Sequence, residues 1–310
     1  MRLDKPNLRL GFTDYFSPLD EFFTDVLSEA FTIIRDDKNP DYLIFCDETF
    51  GQNNRSYDPN KTVKIFFTGE NRRPQAYPCH FAISFDHSTN DRLYRLPLYV
   101  VDNWVHVKKI GLPDVRDIQR NGMASDKTGF CSFVVANSGC IPRNNIFHFI
   151  SQKYKQVDSG GPLFNNTGVV LPRDGINAQK SKFDFIKSRK FNICYENGAY
   201  PGYVTEKLFQ ALYTNTIPIY WGSPTVEMDF NSKAFISRHD YLSDDEMLED
   251  IVALDQNDGL YNAMLSQPIL NPKNNVLDLN RFRKWFMNIV YQGSRADENS
   301  GVYIRATSRL

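Results

Sequence analysis

The sequence lacks an apolar run long enough to cross a membrane, and its charges are almost balanced. A membrane-spanning helix needs about 18 or more apolar residues in succession, and no run in the 310-residue chain approaches that length. The 36 basic and 37 acidic side chains leave a formal net charge of -1, whereas nucleic-acid-binding domains usually carry a basic excess. We therefore expect neither an integral membrane protein nor a nucleic-acid partner.

Cysteine is scarce and scattered, and the start of the chain has no apolar core. The sequence forms no CxxC pair from its five cysteines, which are Cys46, Cys79, Cys131, Cys140 and Cys194. Neither a disulfide framework nor a structural zinc site has this spacing. Charged side chains at four of the first ten positions predict that no signal peptide is present. The sequence thus predicts a cytoplasmic protein of a reducing compartment.

Several motifs of nucleotide and metal enzymes are also missing. The chain contains no GxGxxG, no GxxxxGKS/T, no GxSxG and no HExxH sequence, which argues against the usual dinucleotide, P-loop, hydrolase and zinc-protease sites. It also contains no Asp-x-Asp pair, the pair with which many sugar-nucleotide enzymes hold a divalent metal. We therefore expect no obligatory cofactor and no metal site, with divalent cations at most stimulatory.

What the chain does contain is an alternation of short apolar runs with amphipathic stretches. Its composition, 41% hydrophobic and 24% charged, is that of a globular protein. Compact runs with strand character recur at residues 41–46, 62–68, 81–85, 130–136, 190–195 and 217–221. Helical periodicity lies between them, as at residues 19–27 and 144–154. Strands that alternate with helices predict an α/β fold with mainly parallel sheets.

Glycine and proline interrupt this pattern between Pro97 and Gly129, which predicts a domain boundary. We expect one domain over residues 1–125, a second over residues 126–275, and a C-terminal helix and tail over residues 276–310. The last helical stripe, Asn280 to Tyr291, is aromatic and partly basic. We expect this helix to pack back on the first domain. The alternative is a helix that lies on a membrane surface.

Two basic side chains stand where helices are predicted to begin after strands. Lys207 follows the strand 190–195 and a Gly/Pro loop, in a helix predicted to begin near Tyr203, and Arg143 opens the helix after the strand 130–136. A cation at a helix N-terminus is unfavourable by roughly a few tenths of a kcal/mol. A bound anion such as diphosphate would reverse that sign. The alternative for Lys207 is a side chain that simply extends into solvent.

A third candidate is Glu70, which follows the apolar strand 62–68 and the turn at Gly69. A carboxylate at the tip of a buried strand is suited to act as a general base. The alternative is an exposed loop carboxylate without a chemical role. The five histidines form no recognisable dyad, and we expect them to be structural.

The stretch from Tyr195 to Gly222, which includes YVTEK and IPIYWG, resembles the signature of the α-1,3/4-fucosyltransferases. The FFTGEN segment, the PRN helix start at Arg143 and the DSGG turn are similar to further segments of the same family and occur in the family's order. The resemblance covers about residues 60–240, and the short bacterial members are the most similar.

The resemblance implies a GT-B architecture, with two Rossmann-like domains facing across a cleft, and transfer of L-fucose from GDP-fucose with inversion. The acceptor would be an N-acetylglucosamine or glucose hydroxyl in a lactosamine-type glycan, joined in α-1,3 linkage, with a bacterial lipopolysaccharide as one setting. Glu70 would be the base, and Arg143 and Lys207 would neutralise the leaving diphosphate. The residues that would line the donor site are Arg143, Asn197, Tyr203, Val204, Thr205, Glu206 and Lys207.

Two other functions stay open at this point. A GT-B transferase could use another nucleotide sugar, and a non-catalytic module could bind a sugar nucleotide or a glycan. The second is disfavoured by Glu70, because a pure binding protein needs no base. A cytoplasmic enzyme with peripheral contact at the inner membrane, made through the basic-aromatic helix, is the expected setting.

Overall fold

The computed structural model describes residues 5–173 and 176–291. It divides into two compact units. The first takes the chain up to Val105 and again from Asn275 onward, and the second is His106–Asn274. The first boundary between the units, after Val105, thus lies earlier in the chain than the boundary predicted after residue 125 from the Gly/Pro pattern. The predicted tail after residue 293 lies outside the described residues.

The described residues form eleven strands and eight α-helices, numbered here in chain order. The strands are β1 Asn7–Thr13, β2 Thr32–Arg35, β3 Tyr42–Phe45, β4 Val63–Phe67, β5 Phe81–Ser84, β6 Leu93–Arg95, β7 Gly129–Phe133, β8 Val157–Ser159, β9 Arg189–Tyr195, β10 Ile217–Trp221 and β11 Ile236–Ser237. The helices are α1 Leu19–Ser28, α2 Leu98–Val105, α3 Ile141–Lys153, α4 Ile176–Lys187, α5 Glu206–Tyr213, α6 Asp244–Gln256, α7 Asp258–Leu265 and α8 Leu279–Tyr291.

The first unit contains a six-stranded sheet in the order β2-β1-β3-β4-β5-β6, and every pairing in it is parallel. The central strands β3 and β4 are almost entirely apolar and buried, as expected for parallel strands with both faces covered. The predicted strands 41–46, 62–68 and 81–85 are confirmed. Their carboxyl ends lie along one edge of the sheet, and the loops after β3 and β4 are neighbours there because Phe45 pairs with Phe66.

The C-terminal helix α8 packs on this unit. Phe282 and Phe286 are fully buried, and the ring of Phe282 lies 5.7 Å from that of Phe23 in α1. The Trp285 Nε1 donates a hydrogen bond of 2.7 Å to the Asp91 carbonyl, and Arg283 forms an ion pair of 2.8 Å with Glu29. The apolar stripe that suggested a membrane-surface helix is therefore occupied by the protein's own core.

The second unit contains a five-stranded sheet in the order β11-β10-β9-β7-β8, again with parallel pairings only. The predicted strands 190–195 and 217–221 are confirmed as β9 and β10, and the predicted helix 144–154 is confirmed as α3. The strand 130–136 is observed in a shorter form, as β7. Two α/β units with parallel sheets confirm the predicted fold class. None of the helices in the described ranges has the length and apolar character needed to cross a membrane.

Candidate functional site

Arg143 is held at the carboxyl end of β9. It lies in the first turn of α3, and only 1% of the residue is exposed. One terminal nitrogen donates to Asn197 Oδ1 at 2.6 Å and to the Tyr195 carbonyl at 3.5 Å, and the other donates to the Asn137 carbonyl at 2.7 Å. Within the described residues, Arg143 has no carboxylate partner and its Nε has no hydrogen-bond acceptor. A buried cation without a counter-ion is costly, so this position favours an anion.

Lys207 is bound differently, because it has carboxylate partners that the sequence did not predict. Its Nζ lies 3.1 Å from Glu196 Oε2, 2.9 Å from Thr205 Oγ1 and 3.4 Å from Glu206 Oε1. Two carboxylates of the protein therefore offset the cation at this helix start, and no bound anion is needed to explain its position. The alternative of a side chain extending into solvent is also wrong, because the Lys207 side chain is mostly buried.

Glu196 is the residue that the sequence analysis missed. It follows β9 directly and is fully buried. Its carboxylate accepts hydrogen bonds from the Thr205 backbone N–H at 2.7 Å and from the Thr205 hydroxyl at 2.7 Å. The available signal was its position, since an acidic residue placed directly after a buried strand is seldom left without a partner. Glu196 ties the end of β9 to the start of α5.

The charged groups of Glu196, Glu206 and Lys207 shift one another's pKa values. Burial alone would lower the pKa of Lys207, but the Glu196 and Glu206 carboxylates outweigh it and raise that pKa above its ordinary value. Burial would raise the pKa of Glu206, whereas Lys207 and Lys182 lower it to about 2. For Glu196, burial prevails over the opposing effect of Lys207 and raises the pKa. Lys207 is thus a cation over the whole physiological range.

The helix α5 begins at Glu206, not near Tyr203 as predicted. Thr205 is its N-cap residue and has an extended backbone. Before it, Gly202 adopts a φ of 83° in a turn whose N–H donates to the Ser223 hydroxyl at 2.8 Å. Tyr203 and Val204 are almost completely buried. Their side chains thus present little surface in this conformation, and their contact with the donor stays a prediction.

The DSGG turn is packed rather than open. Asp158 accepts hydrogen bonds of 3.1 Å from both the Nε and a terminal nitrogen of Arg189. A Cβ at Gly161 would lie 2.3 Å from the Val135 carbonyl oxygen, so only glycine fits. This turn has a structural explanation.

Glu70 belongs to a pocket in the other unit. β4 ends at Phe67, and the Thr68 hydroxyl then accepts from the Glu70 N–H at 3.1 Å and donates to the Glu70 carbonyl at 3.0 Å. Glu70 is exposed, and a Cβ at Gly69 would lie 2.7 Å from Leu98 Cδ1. The pocket has a volume of about 150 Å³ and is lined by Phe16, Asp47, Phe50, Gly69, Glu70 and Leu98 among others. The turn is thus held by close packing, while Glu70 itself is exposed and lines the pocket.

Metal-ligating side chains do not gather in the part of the chain that the structure covers. Across residues 5–173 and 176–291, no group of three His, Cys, Asp or Glu residues is placed to hold a metal ion. His106, one of the five histidines, is fully buried, and its ring lies 5.1 Å from that of Phe209 and 4.8 Å from that of Tyr213. Its surroundings are those of a packed core residue.

Two family models match the chain. The alpha-(1,3)-fucosyltransferase FucT N-terminal domain matches residues 10–102, and glycosyltransferase family 10 (fucosyltransferase) C-term matches residues 124–266. The alpha-(1,3)-fucosyltransferase FucT of Helicobacter pylori is 33% identical over 279 residues, which cover 79% of this chain and 55% of that protein. A putative fucosyltransferase, R654, of Acanthamoeba polyphaga mimivirus is 35% identical over 151 residues, which cover 47% of this chain and 25% of that protein. The chain thus spans about half, or less, of the length of these relatives.

The fold of the chain is also similar to that of solved fucosyltransferase structures. A crystal structure of alpha1,3-fucosyltransferase matches with a TM-score of 0.77 and 25% identity, covering 94% of this chain and 92% of that one. A crystal structure of alpha1,3-fucosyltransferase with GDP-fucose matches with a TM-score of 0.73 at the same identity and coverage.

Proposed function

The chain belongs to glycosyltransferase family 10, the fucosyltransferases, and on that premise we propose that it transfers L-fucose from GDP-fucose to an oligosaccharide. The proposed acceptor is an N-acetylglucosamine or glucose hydroxyl in a lactosamine-type glycan, and the proposed linkage is α-1,3. Both the acceptor and the linkage are taken from the family resemblance and from the similarity to the H. pylori protein.

Arg143 is the observation that carries the proposal. A guanidinium that is 1% exposed and has no carboxylate partner in the described chain is suited to a multiply charged ligand. Arginine binds phosphate oxygens through a planar fork of donors. Lys207, in the first turn of α5, adds a second cation at the same strand end. This arrangement supports neutralisation of the diphosphate by Arg143 and Lys207. The other residues proposed to line the donor site are Asn197, Tyr203, Val204, Thr205 and Glu206.

The proposed reaction breaks one bond and forms one. The acceptor hydroxyl gives its proton to Glu70, its oxygen bonds to C1 of fucose, and the bond from C1 to the diphosphate oxygen breaks. The electron pair leaves with GDP, and the configuration at C1 is inverted. Positioned cations stabilise the negative charge that grows on the leaving group. A general base contributes about 10²–10⁴-fold to the rate.

Transfer tests the proposal directly. The protein is incubated with GDP-fucose and N-acetyllactosamine, and the released GDP and the linkage of the product are measured. Calorimetry with GDP-fucose and UDP-sugars separates this function from transfer of another sugar. Binding of GDP-fucose with no product from any acceptor would instead indicate a non-catalytic module.

Glu70→Gln is expected to reduce kcat by about 10²–10⁴-fold, because the acceptor hydroxyl loses its base. The affinity for GDP, measured by calorimetry, is expected to stay unchanged. Glu249→Gln, at an exposed position on α6, is the control and should transfer like the wild type. Near-normal transfer by Glu70→Gln would remove Glu70 from the mechanism.

Location, membrane contact and metal dependence stay predictions. A cytoplasmic setting is part of the proposal, as is peripheral contact at the inner membrane through residues other than the covered apolar stripe of α8. Activity without an obligatory divalent cation is also part of it, and transfer in the presence of EDTA tests that point.

A further inference from the structure

Asp47 is a buried carboxylate that the proposed mechanism does not use. It follows β3, is only 1% exposed, and lines the same pocket as Glu70. Its Oδ1 accepts a hydrogen bond of 2.9 Å from the Thr49 N–H. In the described part of the chain, the carboxylate has no ion pair and its Oδ2 has no hydrogen-bond donor. An ionised carboxylate has about four lone-pair sites, so Asp47 can accept further hydrogen bonds from a ligand in the pocket.

The fold explains why Asp47 and Glu70 line one pocket. β3 and β4 are adjacent parallel strands with Phe45 opposite Phe66, so the residues that follow them emerge at the same sheet edge. Asp47 comes two residues after β3, and Glu70 comes three residues after β4. The pocket therefore depends on the register of two strands that are far apart in sequence.

Apart from Cys46 and Thr68, the other side chains that line the pocket are apolar. The rings of Phe16 and Phe50 lie 5.5 Å apart, and Phe50 is 37% exposed although it is a large aromatic residue. Leu98 closes the pocket near Gly69. None of the described residues that line it is basic. An apolar wall combined with carboxylates and without cations suits a neutral ligand that has hydroxyl donors and an apolar face.

We propose that Asp47 determines acceptor specificity by accepting a hydrogen bond from an acceptor-sugar hydroxyl other than the one that attacks fucose. The ligand class is a neutral sugar ring, with Phe50 packing on its apolar face. This inference rests on the proposed function, because it takes the Glu70 pocket to be the acceptor side of the reaction. Asp47 touches the acceptor and takes no part in proton transfer.

The test combines Asp47→Asn with N-acetyllactosamine acceptors that each lack one hydroxyl. Asparagine keeps an oxygen for the Thr49 N–H but replaces the free carboxylate oxygen by a donor. We expect kcat/KM for the acceptor to fall about tenfold to hundredfold, the usual loss for a hydrogen bond to a charged group. The KM for GDP-fucose and the unfolding temperature should not change.

The matched control is Asp58→Asn. Asp58 also accepts from the N–H two residues ahead, at 3.0 Å, but it is exposed and does not line the pocket. One of the deoxy acceptors should be a poor substrate for the wild type, because it lacks the hydroxyl that Asp47 recognises. For that acceptor, Asp47→Asn should have the same kcat/KM as the wild type. The inference is overturned if that variant behaves like Asp58→Asn, or if it loses equally with every deoxy acceptor.

The wild type alone supplies a second measurement that does not depend on how the variant folds. If all deoxy acceptors that retain the attacking hydroxyl react as well as the parent sugar, no further hydroxyl is recognised and Asp47 has no such role. If the wild type transfers fucose to no acceptor at all, the proposed function fails. If the wild type transfers fucose and Asp47→Asn does so equally well, only the inference on Asp47 fails.

Discussion

At the scale of single residues, the two cations of the candidate donor site differ in whether a carboxylate of the protein lies beside them. Arg143 and Lys207 both stand at helix starts. Lys207 has Glu196 and Glu206 beside it, whereas among the described residues the Arg143 guanidinium donates only to amide and carbonyl oxygens. Two like cations at one strand end also oppose each other, and Arg143 works against the rise in the pKa of Lys207. The carboxylates near Lys207 are what keep it charged.

Glu196→Gln is expected to lower the pKa of Lys207, because the variant removes one of the carboxylates that raise it. A lysine with a raised pKa keeps its charge as the pH rises, and a lower pKa loses that charge earlier. The kcat/KM for GDP-fucose, measured from neutral pH to beyond the ordinary lysine pKa of about 10.4, should therefore fall at a lower alkaline pH in Glu196→Gln than in the wild type. Glu249→Gln should follow the wild-type profile, and an identical profile for Glu196→Gln would exclude this positioning role.

At the scale of elements, the ends of helices proved harder to predict than the elements themselves. The pattern around residues 203–212 predicts a helix, but the extended backbone of Thr205, with φ of −98° and ψ of −161°, delays its start to Glu206. Side chains that the pattern placed in the first turn are instead buried before it. For helix α8 the prediction was correct. Its stripe of large apolar residues indicated a face that packs on the protein, and that face packs on the first unit.

Phe286→Ala is expected to lower the free energy of unfolding by about 3–5 kcal/mol, because it removes a fully buried aromatic ring. That ring lies 6.1 Å from the ring of Phe31 and 6.0 Å from that of Tyr42. Tyr291→Ala on the same helix is the control: it is 62% exposed and should change stability by about 0.5 kcal/mol or less. Urea unfolding followed by fluorescence measures both variants, and equal midpoints would show that α8 is not part of this core.

At the scale of the whole molecule, the proposed tasks fall in different compact units. Arg143 and Lys207 belong to the unit His106–Asn274, whereas Glu70 and Asp47 belong to the unit built on β1 to β6. The donor and acceptor functions can therefore be measured separately, by GDP binding in one case and by acceptor kinetics in the other.

GDP is expected to raise the unfolding temperature of the protein, because a ligand that binds only the folded state stabilises it by about 2.7 kcal/mol at 100 times its Kd.

Arg143→Lys should weaken GDP binding by about tenfold, since lysine lacks the planar fork. The control is Arg189→Lys, which changes an arginine at the opposite end of β9, paired with Asp158. Equal thermal shifts in the two variants would contradict a role of Arg143 in binding GDP.

Much of the fold was open to prediction from local patterns. Parallel strands buried on both faces leave continuous apolar runs, so β3, β4, β9 and β10 could be recognised from the sequence with errors of one or two residues. Glu70 and Arg143 could be singled out because their positions after a strand or at a helix start are local facts. The side chains that partner them could not, because a contact such as Arg143 with Asn197 joins residues 54 positions apart.

The sequence by itself determined the α/β class, the strands β3, β4, β5, β7, β9 and β10, and the family, because periodicity and motif are carried by neighbouring residues. Only the tertiary structure decided that Lys207 is offset by Glu196 and that Tyr203 and Val204 are buried. It also decided that Asp47 shares a pocket with Glu70. The shared pocket depends on the register in which β3 and β4 pair, and that register brings together side chains whose separation along the chain says nothing of their distance in space.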